Sequence, residues 1–244
     1  MMAHLKRYAA PDSWHVSKKT TTYVVKTAPG PHNDSAMPVA VWLRDHMSLA
    51  MTMREVRQIL NSGSVIINGK ACKDPKMGIG VFDIVSVPAI GKHYRILMDK
   101  RGRFRSIEIS PEDAKTRLAK IRDKTVISGG KVQLNLVFGA NVIGDNSYKP
   151  KDSVVLTLTE AEGKKRFQIM DHFPFAVGNM AMVIGGRHSG SVGRIVEIKK
   201  EVGAVPNRVI LEDPATKGRF DTIEDYVFIV GKTESAVKSW GIEE

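Results

Sequence analysis

The first 38 residues rule out one way of building this fold: they supply no helical or strand period long enough to line a core. The stretch runs through His4-Leu5-Lys6-Arg7, Ala10-Pro11-Asp12-Ser13-Trp14, Ser17-Lys18-Lys19-Thr20 and Pro29-Gly30-Pro31-His32. Scattered cations, a Trp, a Tyr, several His and stiff Pro turns suit chain laid along nucleic acid. Charges find phosphates there, and flat side chains stack on bases. A loose terminus is the plainer reading, but loose tails rarely carry a Trp and a Pro-Gly-Pro turn. The arm is expected to be extended, mobile in the free protein and ordered by its partner, because fixing backbone costs roughly 1–2 kcal/mol per residue. His4, Lys6, Arg7, Lys18, Lys19 and His32 are its candidate RNA contacts, and Trp14 is expected to fill a crevice of RNA or protein.

Charge points to the same kind of partner. The 244 residues hold 37 Lys+Arg against 26 Asp+Glu, a formal net charge of +11. Such an excess marks a polyanionic partner and says nothing of fold. Cys72 is the single cysteine, which excludes an intrachain disulfide and a multi-cysteine zinc site. The seven His form no ligand pair at useful spacing, so neither metal nor cofactor is expected. No apolar run approaches about 18 residues, and the start lacks a signal-peptide stretch. A cytoplasmic setting with no membrane and no small-molecule substrate is expected.

Residues 39–90 read as a helical hairpin with a trailing strand. Pro38 is a good first helical residue, and Val39, Trp42, Leu43 and Met47 share one side, with Arg44 and Asp45 elsewhere. The second helix opens on a capping box, Thr52 with Glu55. Val56, Ile59 and Leu60 form its apolar stripe, Arg54, Arg57, Gln58 and Asn61 fall opposite, and Gly63 ends it. A strand at Val65–Ile67, a turn at Asn68-Gly69-Lys70 and a strand over Val81–Val87 follow. Arg44, Arg54, Arg57, Lys70 and Lys73 are placed to grip an RNA backbone.

Residues 91–172 form a strand-rich middle, with a turn at Asp99-Lys100-Arg101-Gly102 and alternating runs at Val132–Leu136 and Val154–Leu158. Ser110-Pro111-Glu112-Asp113 predicts a helix start, with Ala114, Leu118 and Ile121 on its apolar face. Residues 173–231 hold short strands with Gly turns, the pattern of a small barrel. Residues 232–244 read as a tail. Within the barrel, Gly185 and Gly190 have the separation of a phosphate-binding loop. Ser191-Val192 and a strand follow where Lys, Ser or Thr and a helix are required, so a nucleotide site is rejected. Arg187, His188 and Arg194 on this hairpin are candidate RNA contacts. Gly78-Ile79-Gly80 lacks the third Gly and helix of a dinucleotide fingerprint. Glu224-Asp225 reads as a solvated turn, and Cys72 as a passive thiol; no catalytic residue is assigned.

The overall class is α+β, mostly β, in several modules. Helix, capped helix, Gly, strand and Asn-Gly-Lys in that order resemble the small RNA-binding module of bacterial-type ribosomal protein four, pseudouridine synthases and some tRNA synthetases. The segment from Gly178 to Ile195 resembles the KOW motif, a hairpin of SH3-like barrels. Behind this arm, the whole chain resembles the archaeal and eukaryotic-type ribosomal protein four of the small subunit. The residues that carry it include Leu43-Arg44-Asp45, Tyr94-Arg95-Ile96-Leu97, Gly130–Leu136, Gly185-Gly186-Arg187 and Val227–Gly231. Its compact length and mildly acidic end resemble the archaeal members. The chain departs from the family at Met77-Gly78, where a Tyr-Pro pair is usual. The resemblance implies a non-catalytic, ribosome-bound protein that contacts small-subunit ribosomal RNA and neighbouring ribosomal proteins. An RNA-modifying enzyme and a KOW-type transcription elongation factor are the competing readings. The first lacks room for a catalytic domain, and the second has no need of hairpin or arm.

Overall fold

Capping and turn chemistry set the local structure of the first unit, which comprises Met1–Leu97 and Arg103–Lys115. In the computed structural model, residues 4–32, 35–161, 164–232 and 240–241 are described. The N-terminal segment is not an extended arm. Strands β1 (Leu5–Lys6) and β2 (Tyr23–Val24) pair antiparallel, and two 3-10 turns lie between them. Strand β3 (Met37–Pro38) leads into helix α1 (Val39–Val41), which widens into a π turn over Trp42–His46. All of Val39 to Leu43 is buried, so this short helix is apolar on every side.

Helix α2 (Met53–Asn61) starts on the expected capping box: the Glu55 amide donates to the Thr52 hydroxyl at 3.3 Å. Val56 and Leu60 are fully buried, whereas Arg54 and Arg57 are exposed. Strands β4 (Ile66–Ile67) and β5 (Lys70–Ala71) flank Asn68-Gly69, whose φ values of 47° and 80° are those of a two-residue hairpin turn. Strands β6 (Gly78–Ile79), β7 (Ile84–Val87), β8 (Lys92–Met98) and β9 (Phe104–Ile109) follow. The sheet order is β5-β4-β7-β8-β9, with β3 and β6 paired separately.

A buried polar cluster fixes the N-terminal segment to this sheet. His32 Nε2 lies 2.7 Å from Asp83 Oδ2, and both side chains are almost fully enclosed. Asp83 also accepts from the Gly80 amide at 3.0 Å and from Asn68 Nδ2 at 2.8 Å. Gly80 is what makes room for the imidazole: a Cβ there would sit 2.1 Å from His32 Nδ1. Gly78-Ile79-Gly80 thus serves close packing, with a Gly78 Cβ falling 2.5 Å from the Ala36 Cβ.

The second unit comprises Met98–Gly102 and Thr116–Glu244. Strands β10 (Thr116–Val126), β11 (Val132–Leu136), β12 (Asn141–Gly144), β13 (Ser153–Ala161) and β14 (Lys164–Phe173) form one antiparallel sheet, ordered β12-β11-β10-β13-β14. Its core gathers Ile121, Leu134, Leu136, Val154 and Leu156. The helix expected after Ser110 is absent. Ser110 and Asp113 do cap each other, the Asp113 amide donating to Ser110 Oγ at 3.1 Å, but only one 3-10 turn, Asp113–Lys115, forms. β10 then runs between β11 and β13 with Arg117 to Ile121 all buried. When both faces of a strand are covered, the spacing of Leu118 and Ile121 carries no helical information.

Strands β15 (Met180–Val183), β16 (Val192–Lys199), β17 (Arg208–Glu212), β18 (Arg219–Ile223) and β19 (Val227–Gly231) form the last sheet, ordered β18-β17-β16-β15-β19. Its core holds Ala181, Val183, Ile195, Val209, Leu211 and Ile229. The tail expected from Lys232 falls mostly outside the described residues, yet Trp240 is buried and donates to the Val230 carbonyl at 3.1 Å. Glu224 is not a solvated turn residue either. It is 6% exposed, ion-paired with Lys151, and accepts from Asn207 Nδ2 at 2.8 Å.

Lys120 on β10 is buried, and its ammonium donates to the carbonyls of Glu224 at 2.9 Å, Asp225 at 3.1 Å and Val227 at 2.9 Å. Burial pushes the ammonium down to about 8, against the opposing pull of Asp225 and Glu224.

Gly80→Ala is expected to lower stability by about 3 kcal/mol or more, since the new methyl meets an enclosed ring; denaturant titration measures it. Lys120→Met is expected to cost about 3 kcal/mol by stripping buried carbonyls of their donor. A cation whose folded pKa is depressed opposes folding while charged. For Lys120 that opposition is full below pH about 8 and fades as pH rises toward its ordinary 10.5. Stability of the wild type relative to Lys120→Met should therefore increase across that window in unfolding titrations.

Candidate nucleic-acid interface

Surface cations group by element. On α2, Arg54 and Arg57 project from the exposed face three residues apart, opposite the buried Val56 and Leu60. Just beyond, Lys70 on β5 and Lys73 after it are exposed, carried by the β4–β5 hairpin. The helix buries one stripe because its apolar residues recur at helical spacing, and this necessarily turns the arginines outward. Arg44, on the π turn, is half-buried and donates to Asp45 Oδ2 from Nη2 at 2.8 Å.

The N-terminal segment separates into outward and inward residues. His4, Lys6 and Lys19 are exposed, and the His4 ring lies 5.7 Å from that of Tyr23. Lys18 is half-buried, donating to the Ala10 carbonyl at 2.5 Å and pairing with Asp12 at 2.9 Å. That contact holds the Asp12 carboxyl below its usual range.

Arg7, Trp14 and His32, read from the sequence as RNA contacts, are inside the protein. Arg7 is 4% exposed; its Nη2 lies 2.6 Å from Asp45 Oδ1 and its Nε donates to the Ser17 carbonyl at 2.5 Å. Trp14 is 2% exposed and donates from Nε1 to the Ala36 carbonyl at 3.0 Å, while its own carbonyl lies 2.6 Å from His46 Nε2. The crevice expected for Trp14 is supplied by this chain. Ala10, Val16 and Val24 are buried with it. Such isolated anchors, set by turns, leave no period in the sequence.

In the second unit, Arg187 and Arg194 are exposed and His188 is half-buried. The His188 ring stacks on Phe220 at 4.9 Å between centroids. Sequence reading missed Phe220 as a neighbour, since it lies on a later strand, β18, that no spacing rule links to His188. The Gly185–Gly190 loop runs into β16 and not into a helix, as expected. Its close approach is to the chain itself: a Cβ on Gly190 would fall 2.1 Å from the Asp99 carbonyl oxygen, and φ there is +78°. Ser189 Oγ also lies 2.6 Å from Met98 Sδ. Gly185 and Gly186 leave room for the Tyr226 ring.

Burial raises the Cys72 thiol to about 11, which keeps it protonated and inert. Among the described residues, no group of three or more His, Cys, Asp or Glu could hold a metal ion. No helix among them is long and apolar enough to cross a membrane.

This is a mostly β chain with few helices, with exposed cations on a helix face, on strands and on turns. Comparison with known proteins gives three family-model matches: the Ribosomal family S4e over residues 90–162, the RS4NT domain over residues 2–35 and the KOW motif over residues 177–212. The small ribosomal subunit protein eS4 of Methanospirillum hungatei is 52% identical over 241 residues, spanning 99% of each chain. That of Archaeoglobus fulgidus is 44% identical over 232 residues, covering 95% of this chain and 94% of its own. The crystal structure of the 30S ribosomal protein S4e from Thermoplasma acidophilum superposes with a TM-score of 0.66 at 25% identity, over 83% of this chain and 98% of that one. The fold and these matches define a ribosomal protein. The chain belongs to the small ribosomal subunit protein eS4 family.

The anchoring of the N-terminal segment is open to direct measurement. Hydrogen exchange on the free protein should show protected amides at Arg7, which donates to the Thr22 carbonyl, and at Ala28, which donates to that of Lys76. Trp14→Ala should remove about 3–5 kcal/mol of stability. Rapid exchange of both amides would show that the segment is not part of the free fold.

Proposed function

We propose that this protein is a non-catalytic structural constituent of the small ribosomal subunit, holding small-subunit ribosomal RNA and meeting neighbouring ribosomal proteins in the cytoplasm. The whole-length relationship to eS4 proteins carries this reading, 52% identity across 99% of the chain. The net charge of +11 supports it, since phosphate neutralisation needs such an excess. A transcription elongation factor built on the KOW hairpin, or an RNA-modifying enzyme, would not account for a relationship that runs from end to end.

Within this reading the modules divide the work. The helix α2 face with Arg54 and Arg57, the hairpin lysines Lys70 and Lys73, and Arg44 form the first RNA-facing group. His4, Lys6, Lys18 and Lys19 extend it along the N-terminal segment. Arg187, His188 and Arg194 form a second group on the KOW hairpin of an SH3-like barrel. Arg7, Trp14 and His32 serve from inside, by holding the segment that carries those cations. Phosphate contacts of this kind set position and carry no sequence information, which suits a protein whose task is to hold a folded RNA.

Sedimentation with small subunits across a salt series tests the reading. Binding to the subunit RNA should fall by roughly 10³–10⁵ between about 50 and 200 mM salt if 6–10 phosphates are contacted. Arg54→Gln with Arg57→Gln should weaken binding and flatten that salt dependence, while leaving stability within about 0.5 kcal/mol because both side chains are exposed. A protein that stays apart from the subunit at low salt would overturn the assignment.

A further inference from the structure

We propose that the cleft between the N-terminal segment and the π turn of the first unit receives one unpaired nucleotide of the RNA, its phosphate against Arg44. The proposal rests on the ribosomal-RNA reading above and narrows it to a single subsite. The cleft has a volume of about 620 Å³, and its walls include Arg7, Thr20, Thr21, Arg44, Asp45 and Met51. That size lies in the range of pockets that enclose a small organic molecule, about 300–1,000 Å³.

Charge decides what class of molecule fits. Arg7 Nη2 lies 2.6 Å from one oxygen of Asp45, and Arg44 Nη2 lies 2.8 Å from the other. Two guanidiniums therefore share one carboxylate, and the trio keeps a net positive charge. The Arg7 side chain is 4% exposed and committed inward, whereas that of Arg44 is 23% exposed. Arg44 engages Asp45 through Nε and Nη2 alone among the described residues, so donors remain for an anion.

The rest of the lining exceeds what a bare phosphate needs. Thr20 and Thr21 bring hydroxyls whose hydrogens go to the Ser17 and Tyr23 carbonyls, which leaves their oxygens to accept from a ribose 2′-hydroxyl or a base amino group. Ser48 adds another and is held at φ +53°, a left-handed conformation that non-glycine residues adopt chiefly where surrounding structure imposes it. Met51 is 87% exposed on the cleft, and its thioether is suited to lie against a flat ring. Cation, hydroxyls and apolar rim correspond to phosphate, sugar and base. A base reaches such a cleft only when unpaired and splayed from its helix, the form in which RNA sequence is ordinarily read.

The test uses the full chain and small-subunit ribosomal RNA, with base-specific chemical probing at nucleotide resolution beside affinity measurement. Wild-type protein should protect one unpaired base. Arg44→Gln should weaken binding about tenfold, the scale of one charge-assisted contact, Met51→Asp should weaken it by setting a carboxylate where the base would lie, and both should leave that same base reactive at saturating protein. Arg44→Gln should also reduce the salt slope by about one. Met51 is so exposed that its replacement leaves the fold intact, which separates loss of the subsite from loss of structure. Arg54→Gln with Arg57→Gln should weaken binding while the base stays protected at saturation. Weakened binding by the cleft variants with no single base changing its protection overturns the subsite and leaves the ribosomal-RNA reading standing. Wild-type protein that fails to bind the RNA overturns both.

Discussion

One ammonium group organises the second unit. Lys120 Nζ stands within 2.9–3.1 Å of three carbonyls in the turn from Glu224 to Val227. Those carbonyls belong to a 3-10 turn and the strand after it, and such chain ends leave acceptors that need partners. A buried charge is costly unless it is fully hydrogen-bonded, so the lysine fixes the turn as firmly as the turn fixes the lysine. Neighbouring contacts reinforce the arrangement. Ser153 Oγ accepts from the Ile229 amide at 3.1 Å, and Asp152 accepts from the Phe175 amide at 2.8 Å. The hydrophobic cores on either side of these contacts are separate clusters, and the polar contacts act beside an apolar one, the Phe138 ring stacked on Phe228 at 5.8 Å.

The cations of this chain therefore do two different jobs, and residue type alone does not distinguish them. Arg7, Arg95, Arg117 and Lys120 are buried, whereas Arg54, Arg57, Lys70 and Arg194 are exposed. Burial draws the Arg95 guanidinium down to about 10, and it donates to the Asp113 carbonyl at 3.2 Å. The exposed set contributes a positive field of the sign that the proposed RNA partner requires. The buried set holds the scaffold on which the exposed set is displayed.

Much of the architecture was legible because it is local. The Thr52–Glu55 capping box, the Asn68-Gly69 turn and the Asp99–Gly102 turn depend on residues a few positions apart. The alternation of Val132–Leu136 likewise survives into a strand. Elements whose structure is set by tertiary contacts were not legible. β10 was read as a helix because a doubly buried strand has no polar face to reveal its period. The N-terminal segment was read as extended because its anchors, Trp14 and His32, answer to partners at Ala36 and Asp83 that no spacing rule links to them. At the candidate interface, exposed helix and turn cations could be named from sequence. The pairing of Arg7 and Arg44 on Asp45, and the cleft it borders, depends on a fold that brings residue 7 beside residue 45.

The close seat of Gly190 on the Asp99 backbone has a topological consequence. Met98–Gly102 belongs with the second unit, although the strands on either side of it, β8 and β9, belong chiefly to the first. The polypeptide thus passes from one unit to the other and back before entering the second for good. No single cut can divide it into two complete pieces: cleavage before Met98 strands β9, and cleavage after Lys115 takes from the second unit the backbone on which Gly190 rests. Producing either unit by itself therefore requires rejoining two separate stretches of sequence.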